Sequence, residues 1–206
     1  YKLLNSFMIF HYNYQINIKR LISLIDYKKL NILDFGCGKG LWPNKIKRIR
    51  KINKIILYDN EPSLLPLLKQ KYNSKKFQVN FDLNKILKNK EYNVIVFSSV
   101  IQYISHINFK KLLQKLTKNK KTLIVVSDVP FLPKFIEFLL LPFFNIKRFF
   151  FVITLIFSKK YKNMNYFTYD KKDFSYLKKR YKIKYISNLH DLNKLRYAVI
   201  LKPRNN

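Results

Sequence analysis

The chain has 206 residues, of which 48% are hydrophobic, enough to close the core of one domain. Lys and Arg number 42 against 11 Asp and Glu, a formal charge of +31. The single cysteine, Cys37, excludes an internal disulfide and a cysteine metal cluster.

The start shows no basic stretch followed by an apolar run and a small-residue cleavage site, so no secretory leader is expected and a cytoplasmic location is. Apolar spacing over 15–30 predicts an amphipathic helix. A strand follows at 31–36, then a helix over 41–51, where Pro43 is acceptable because it lies in the first turn. Further along, strands are expected at 55–59, 77–81, 92–98 and 122–127, with helices at 61–72 and 109–116 between them. A helix near 172–181 and two consecutive strands, 182–187 and 196–201, close the chain. Strands alternating with helices predict an α/β fold, a doubly wound and mostly parallel sheet with helices on both faces. The final pair suggests an antiparallel hairpin at one edge, and residues 1–206 read as one domain with no internal repeat.

The most informative stretch is Ile32-Leu33-Asp34-Phe35-Gly36-Cys37-Gly38-Lys39-Gly40. It is an apolar strand ending in an acid, followed by a sharp turn into a helix. The chain has only three glycines, and all lie within these five turn residues. Glycine belongs where backbone takes positive φ or lies against a ligand, so this is a ligand-hugging loop. A dinucleotide fingerprint, Gly-x-Gly-x-x-Gly, would need its third glycine at Leu41 and fails on spacing.

The stretch resembles motif I of the class I S-adenosylmethionine (SAM)-dependent methyltransferases, apolar-apolar-acid-apolar-Gly-x-Gly-x-Gly, with every position filled. The resemblance covers roughly residues 18–203 and implies a seven-stranded sheet whose last strand is antiparallel, with SAM as cofactor. By that resemblance Asp34, Gly36, Gly38 and Gly40 border the methionine part of SAM, with Cys37 lining the turn. Asp59, closing the second strand, would accept the ribose hydroxyls, and Asn60 would bracket the adenine side. Asp82 would contact the adenine amino group and the Leu83 amide a ring nitrogen. Ser98 and Ser99 would lie beside the sulfonium, with Gln102 and Tyr103 toward the substrate. Structural roles compete at each acid: Asp34 as a partner of a helix N-terminus, Asp59 as a cap of the helix opening at Glu61, Asp82 as a solvated turn. Asn93 departs from the family, many of whose members have aspartate there, but it lies near a strand start, away from the chemistry.

Several subclasses are disfavoured. The segment Phe97-Ser98-Ser99-Val100 stands where amino-methylating nucleic-acid enzymes carry a double proline, and Cys37 is not placed to serve a carbon-5 pyrimidine mechanism. No His/Asp/Glu cluster suggests a metal site. What remains is in-line transfer to an oxygen, nitrogen or carbon of a small-molecule, sugar or lipid-linked acceptor, where positioning supplies much of the rate. An oxygen acceptor also calls for a base. His106 and Asp128 are the candidates, with Tyr103 as an orienting group, although His106 also suits a helix entry and Asp128 a turn before Pro130. A non-catalytic binding protein of this fold and an RNA methyltransferase are the alternatives. The second is favoured only by charge, because the lysines scatter from Lys2 to Lys202 as an AT-rich coding sequence would place them.

Residues 131–158 form an apolar insert interrupted by Lys134, Glu137, Pro142, Lys147 and Arg148, too broken for a span of about twenty apolar residues. Two destinations are open: a helical lid over the substrate, which is preferred, or peripheral contact with an anionic membrane at its inner face.

Overall fold

A computed structural model describes residues 20, 22–46, 48–49, 51–89, 91–118, 121–132, 136, 166–187 and 196–204. Seven strands make one sheet: β1 (Leu30–Phe35), β2 (Ile52–Tyr58), β3 (Phe77–Asn80), β4 (Val94–Ser98), β5 (Leu123–Pro130), β6 (Tyr181–Ser187) and β7 (Arg196–Pro203). Their order is β3-β2-β1-β4-β5-β7-β6. The first five are parallel, and β7 is antiparallel to both β5 and β6. The terminal hairpin is therefore the sheet edge as expected, with its antiparallel member one place in and β6 outermost.

The strands carry apolar residues on both faces, the pattern of a sheet covered twice. One core joins Leu33, Phe35, Ile95, Phe97, Ile124 and Val126 to Ile86 of α3 (Leu83–Lys88) and to Phe109 and Leu113 of α4 (His106–Leu116). Phe174 and Leu177, from the 3-10 turns of Lys171–Lys179, complete it. The other core joins Ile32, Leu57, Val94, Val96 and Val125 to Ile46 of α1 (Pro43–Ile46) and to Leu68 of α2 (Leu65–Lys71). Ile22 and Trp42 pack into it too.

Several boundaries differ from the sequence reading. The helix expected over 15–30 is described only at its end: Ile22 and Ser23 are helical, and the chain has left the helix before β1 opens at Leu30. The helix expected over 41–51 is the single turn of α1, because β2 starts at Ile52, where Leu30 of β1 pairs with it. α3 is a helix where the sequence reading has none and offers only a solvated turn at Asp82. It forms because Asp82 caps it, its Oδ1 accepting from the Asn84 and Lys85 amides, while Ile86 is fully buried. α4 opens earlier than expected, at His106, behind the Ser105 cap. The segment near 172–181 winds as 3-10 turns behind an Asp170–Asp173 capping box.

β5 runs on to Pro130 instead of ending at Ser127, so Asp128 lies within the strand and not past it. Val126 and Val129 reach the same core although three positions apart, which an extra residue in the strand explains. The β5–β7 register shifts between these two residues, and Asp128 there takes φ 62°. Of the insert expected at 131–158, only 131, 132 and 136 are described, so the lid and membrane readings both lie outside the described residues. No described helix is long and apolar enough to cross a membrane.

Candidate active site

The glycine loop leaves the carboxyl end of β1, where open parallel sheets bind ligands. Gly36, Gly38 and Gly40 all have positive φ, at 74°, 52° and 59°. A Cβ on Gly40 would stand 2.6 Å from the Tyr72 ring, so close packing there demands glycine. A Cβ on Gly38 would meet nothing within 4 Å, which marks the loop tip as the place where a ligand can lie against backbone.

The loop is pinned on both sides. The Gly36 and Cys37 amides donate to the Tyr58 carbonyl at 2.8 and 2.9 Å, and the Gly38 amide donates to Asp59 Oδ2 at 2.7 Å. On the other side Lys71 Nζ donates to the carbonyls of Lys39 and Gly40 at 3.0 and 2.8 Å, and the Tyr72 hydroxyl donates to the Gly40 carbonyl. Sequence reasoning missed Lys71 and Tyr72, since nothing local joins them to residues some thirty positions earlier.

Asp34 is fully buried, and among the described residues neither carboxylate oxygen meets a hydrogen-bond partner at full bonding geometry. Burial, then the charge of Asp59, raises its pKa well above the ordinary carboxylate range, opposed by the Trp42 side chain. Burial likewise pushes the Cys37 thiol far up, assisted by Asp34 and Asp59, so Cys37 is no nucleophile. Asp59 is 8% exposed; besides Gly38 it accepts the Glu61 amide on Oδ1 at 3.0 Å, a local turn contact, while the helical turn that follows opens at Pro62 with Glu61 as its N-cap and no side-chain cap, so the capping role weighed for Asp59 is not the one formed. Asn60 beside it is exposed. In a chain of charge +31, the ground around the glycine loop is locally acidic.

These features suit SAM. Its ammonium and sulfonium are cationic, and a buried carboxylate without a partner is a place for a cation. Asp59 retains further lone pairs for two hydroxyls, and the Gly38 tip leaves room for close approach. Asp82 and Leu83 lie at the end of β3, where Asp82 caps α3 and Leu83 packs partly against the core.

A second group of residues gathers at the carboxyl ends of β4 and β5. Ser98 Oγ lies 2.9 Å from Ser127 Oγ, buried between the strands. Ser99, at φ 53°, donates through Oγ to Asp128 Oδ2 at 2.5 Å. Arg196 Nη1 donates to the same oxygen at 3.0 Å and to the Asp128 carbonyl at 3.2 Å, and its Nη2 donates to the Tyr166 hydroxyl at 2.6 Å. Sequence reasoning found Ser99 and Asp128 but not Arg196, which is brought to them by antiparallel β7.

The remaining candidates are placed elsewhere. His106 Nε2 lies 2.7 Å from the Thr168 carbonyl, which only accepts, so that nitrogen carries the proton and is not a base. The ring also packs edge-on to Tyr169. Tyr103 is 45% exposed, and Gln102 is buried with its Oε1 lacking a partner among the described residues. Among the described residues no group of three His, Cys, Asp or Glu could hold a metal.

Comparison with known proteins agrees with this geometry. Residues 10–134 match the family described as methyltransferase domain. No curated protein matches the chain in sequence. Among solved structures, the methyltransferase domain of bacterial CtHen1 aligns at TM-score 0.63 and 12% identity, over 94% of this chain and 99% of that one. Magnesium protoporphyrin IX methyltransferase from Synechocystis PCC 6803, solved with bound SAM, aligns at 0.60 and 12% identity, over 94% and 81%. The N-methyltransferase NodS from Bradyrhizobium japonicum WM9 aligns at 0.58 and 9% identity, over 92% and 94%. At these identities the structures establish the fold. The match over more than half the chain establishes the family: this protein belongs to the methyltransferase domain family, as a class I SAM-dependent methyltransferase.

Proposed function

We propose that the protein transfers a methyl group directly from SAM to an oxygen, nitrogen or carbon of a small-molecule, sugar or lipid-linked acceptor. The observation that carries the donor half is Asp34, a buried carboxylate without a hydrogen-bond partner among the described residues, beneath a glycine loop whose tip is open at Gly38. When bound, SAM supplies a methyl already activated on a sulfonium. Asp34 would face the ammonium, the Gly36–Gly40 backbone would border the methionine chain, and Asp59 with Asn60 would take the ribose side. Asp82 and the Leu83 amide stand at the end of the neighbouring strand for the adenine.

The chain's own contribution is then mostly orientation, worth several orders of magnitude in rate when donor and acceptor are held in line. Ser99 and Asp128 form the ledge for the acceptor, and Arg196 fixes that ledge in place. Asp128 Oδ2 already accepts from a guanidinium and a hydroxyl, which occupies that oxygen. This favours an acceptor that is nucleophilic by itself or loses its proton to water. The reading is tested by incubating the protein with SAM labelled in its methyl group and a fractionated cell extract. Label in the low-mass or lipid fraction supports it, and label in the nucleic-acid fraction contradicts the acceptor class.

A further inference from the structure

The end of α2 grips the glycine loop by its carbonyls. Lys71 Nζ donates to the Lys39 and Gly40 carbonyls at 3.0 and 2.8 Å, and the Tyr72 hydroxyl donates to the Gly40 carbonyl as well. A carbonyl oxygen has two lone pairs, so that of Gly40 is saturated. Its peptide plane cannot swing without losing both bonds, and the plane before it is tied through the Lys39 carbonyl. At the start of the loop the Gly36 and Cys37 amides are held by Tyr58 and the Gly38 amide by Asp59, while the Gly40 amide donates to the Cys37 carbonyl at 2.9 Å. Of the amides of 36–40, only that of Lys39 has no acceptor among the described residues. It belongs to the peptide that follows the open Gly38 tip, and the planes on both sides of that peptide are fixed.

The helix that follows the loop gives little support of its own, since α1 is the single turn Pro43–Ile46. The rigid body behind the loop is α2. Its Leu68 and the adjoining Tyr72 are buried, and a Cβ on Gly40 would meet both. The Tyr72 ring is held in turn by Phe77 of β3, at 4.6 Å between centroids. A lysine in the last turn of a helix ordinarily serves that helix's own final carbonyls. Lys69 shares the last turn and is exposed, whereas Lys71 reaches carbonyls 31 and 32 residues earlier.

We propose, resting on the placement of SAM at this loop, that Lys71 is a positioning residue for the cofactor. Its ammonium, with the Tyr72 hydroxyl, sets the last two peptides of the loop so that the Gly38 tip and the Lys39 amide meet the methionine part of SAM. Bonds from a charged donor to two carbonyls are lost together when the ammonium is removed. The loop then spends less time in the binding shape, and affinity falls by that fraction.

The test replaces the ammonium chemically. Lys71→Cys and, as its control, Lys69→Cys are titrated calorimetrically with SAM before and after treatment with 2-bromoethylamine. The new thiolate displaces bromide, and the aminoethyl thioether restores an ammonium on an arm close to lysine in length. Cys37 is buried and its thiol is held protonated beside Asp34 and Asp59, so it is spared, which treated wild type verifies. Trp42 is the chain's single tryptophan and lies in the same core as Leu68 and Tyr72, so its emission reports the packing behind the loop without ligand. The expected result is that Lys71→Cys binds SAM about tenfold more weakly than wild type with Trp42 emission unchanged. Aminoethylation should bring its affinity back to within about threefold of wild type, and Lys69→Cys should stay within that margin throughout. Wild-type affinity in untreated Lys71→Cys, or a loss that the adduct does not restore, would overturn the proposal. So would an equal loss in Lys69→Cys, which would reduce the effect to net charge, or a shifted Trp42 emission, which would mark a repacked core. Wild type that binds no SAM would instead remove the donor site itself, and the role of Lys71 with it.

Discussion

The backbone amide of Gly38 donates to the carboxylate of Asp59 at 2.7 Å, fastening the tip of the glycine loop to the end of the neighbouring strand. Two residues that sequence reading had assigned to separate parts of the cofactor thus form one unit. Asp59 shapes the loop and stands at its mouth, so changes at either residue are expected to reach the other.

The glycines separate stability from binding. Gly38→Ala meets no steric neighbour and suffers only the left-handed backbone conformation, a loss of about 1–2 kcal/mol, yet it places a methyl where SAM would lie. Gly40→Ala adds a clash with the Tyr72 ring and is expected to lose about 2–4 kcal/mol. Thermal unfolding and calorimetric SAM titration of both variants should show the larger stability loss at Gly40. Per kcal/mol of stability lost, the drop in affinity should be larger at Gly38.

Asp34 gives a pH signature. Its folded pKa is raised, so between the unfolded value of about 3.9 and that raised value the folded state holds more protons than the unfolded one. Stability from this group therefore falls as pH rises through that window. Asp34→Asn should flatten the decline and stabilise the ligand-free protein near neutral pH, while weakening SAM binding about tenfold or more. Binding to the wild type should release a proton, visible as a dependence of the calorimetric heat on buffer ionisation enthalpy. Unchanged stability with unchanged affinity would remove Asp34 from the site.

The Asp128–Arg196 pair is almost fully buried, at 7% and 6% exposure. Removing one member strands the other charge, so Arg196→Met is expected to destabilise by about 3–5 kcal/mol. Adding Asp128→Asn, which keeps a residue tolerant of φ 62°, should recover part of that loss. Denaturant unfolding of the two single variants and the double variant closes the cycle. Additive losses would mean that the pair does not act as a unit.

His106 supplies the contrast. It holds the Thr168 carbonyl and the Tyr169 ring, so His106→Ala should reduce stability by about 1 kcal/mol without changing SAM affinity. Once an acceptor is known, the pH profile of turnover should also persist in the variant. A lost ionisation in that profile would restore His106 as the base.

How legible these features were in the sequence depended on their range. The glycine loop could be read because all three glycines stand in one turn after an apolar strand, and β4 and β5 because continuous apolar runs have few other fates. α3 was hidden because one carboxylate, Asp82, serves equally as ligand contact and helix cap, and the cap is what forms here. Arg196 was hidden because it meets Asp128 across 68 residues, through an antiparallel strand and an irregularity in β5 that no local pattern announces. His106 looked like a base for its position after β4, but its ring is taken up by a segment 62 residues further on.

The most direct test is calorimetric titration of the purified protein with SAM and with S-adenosylhomocysteine, alongside Asp59→Ala. The account predicts dissociation constants near the micromolar range for wild type. It also predicts a loss of about tenfold or more in the variant, the equivalent of one or two charge-assisted hydrogen bonds. A folded wild-type protein that binds neither compound would contradict it.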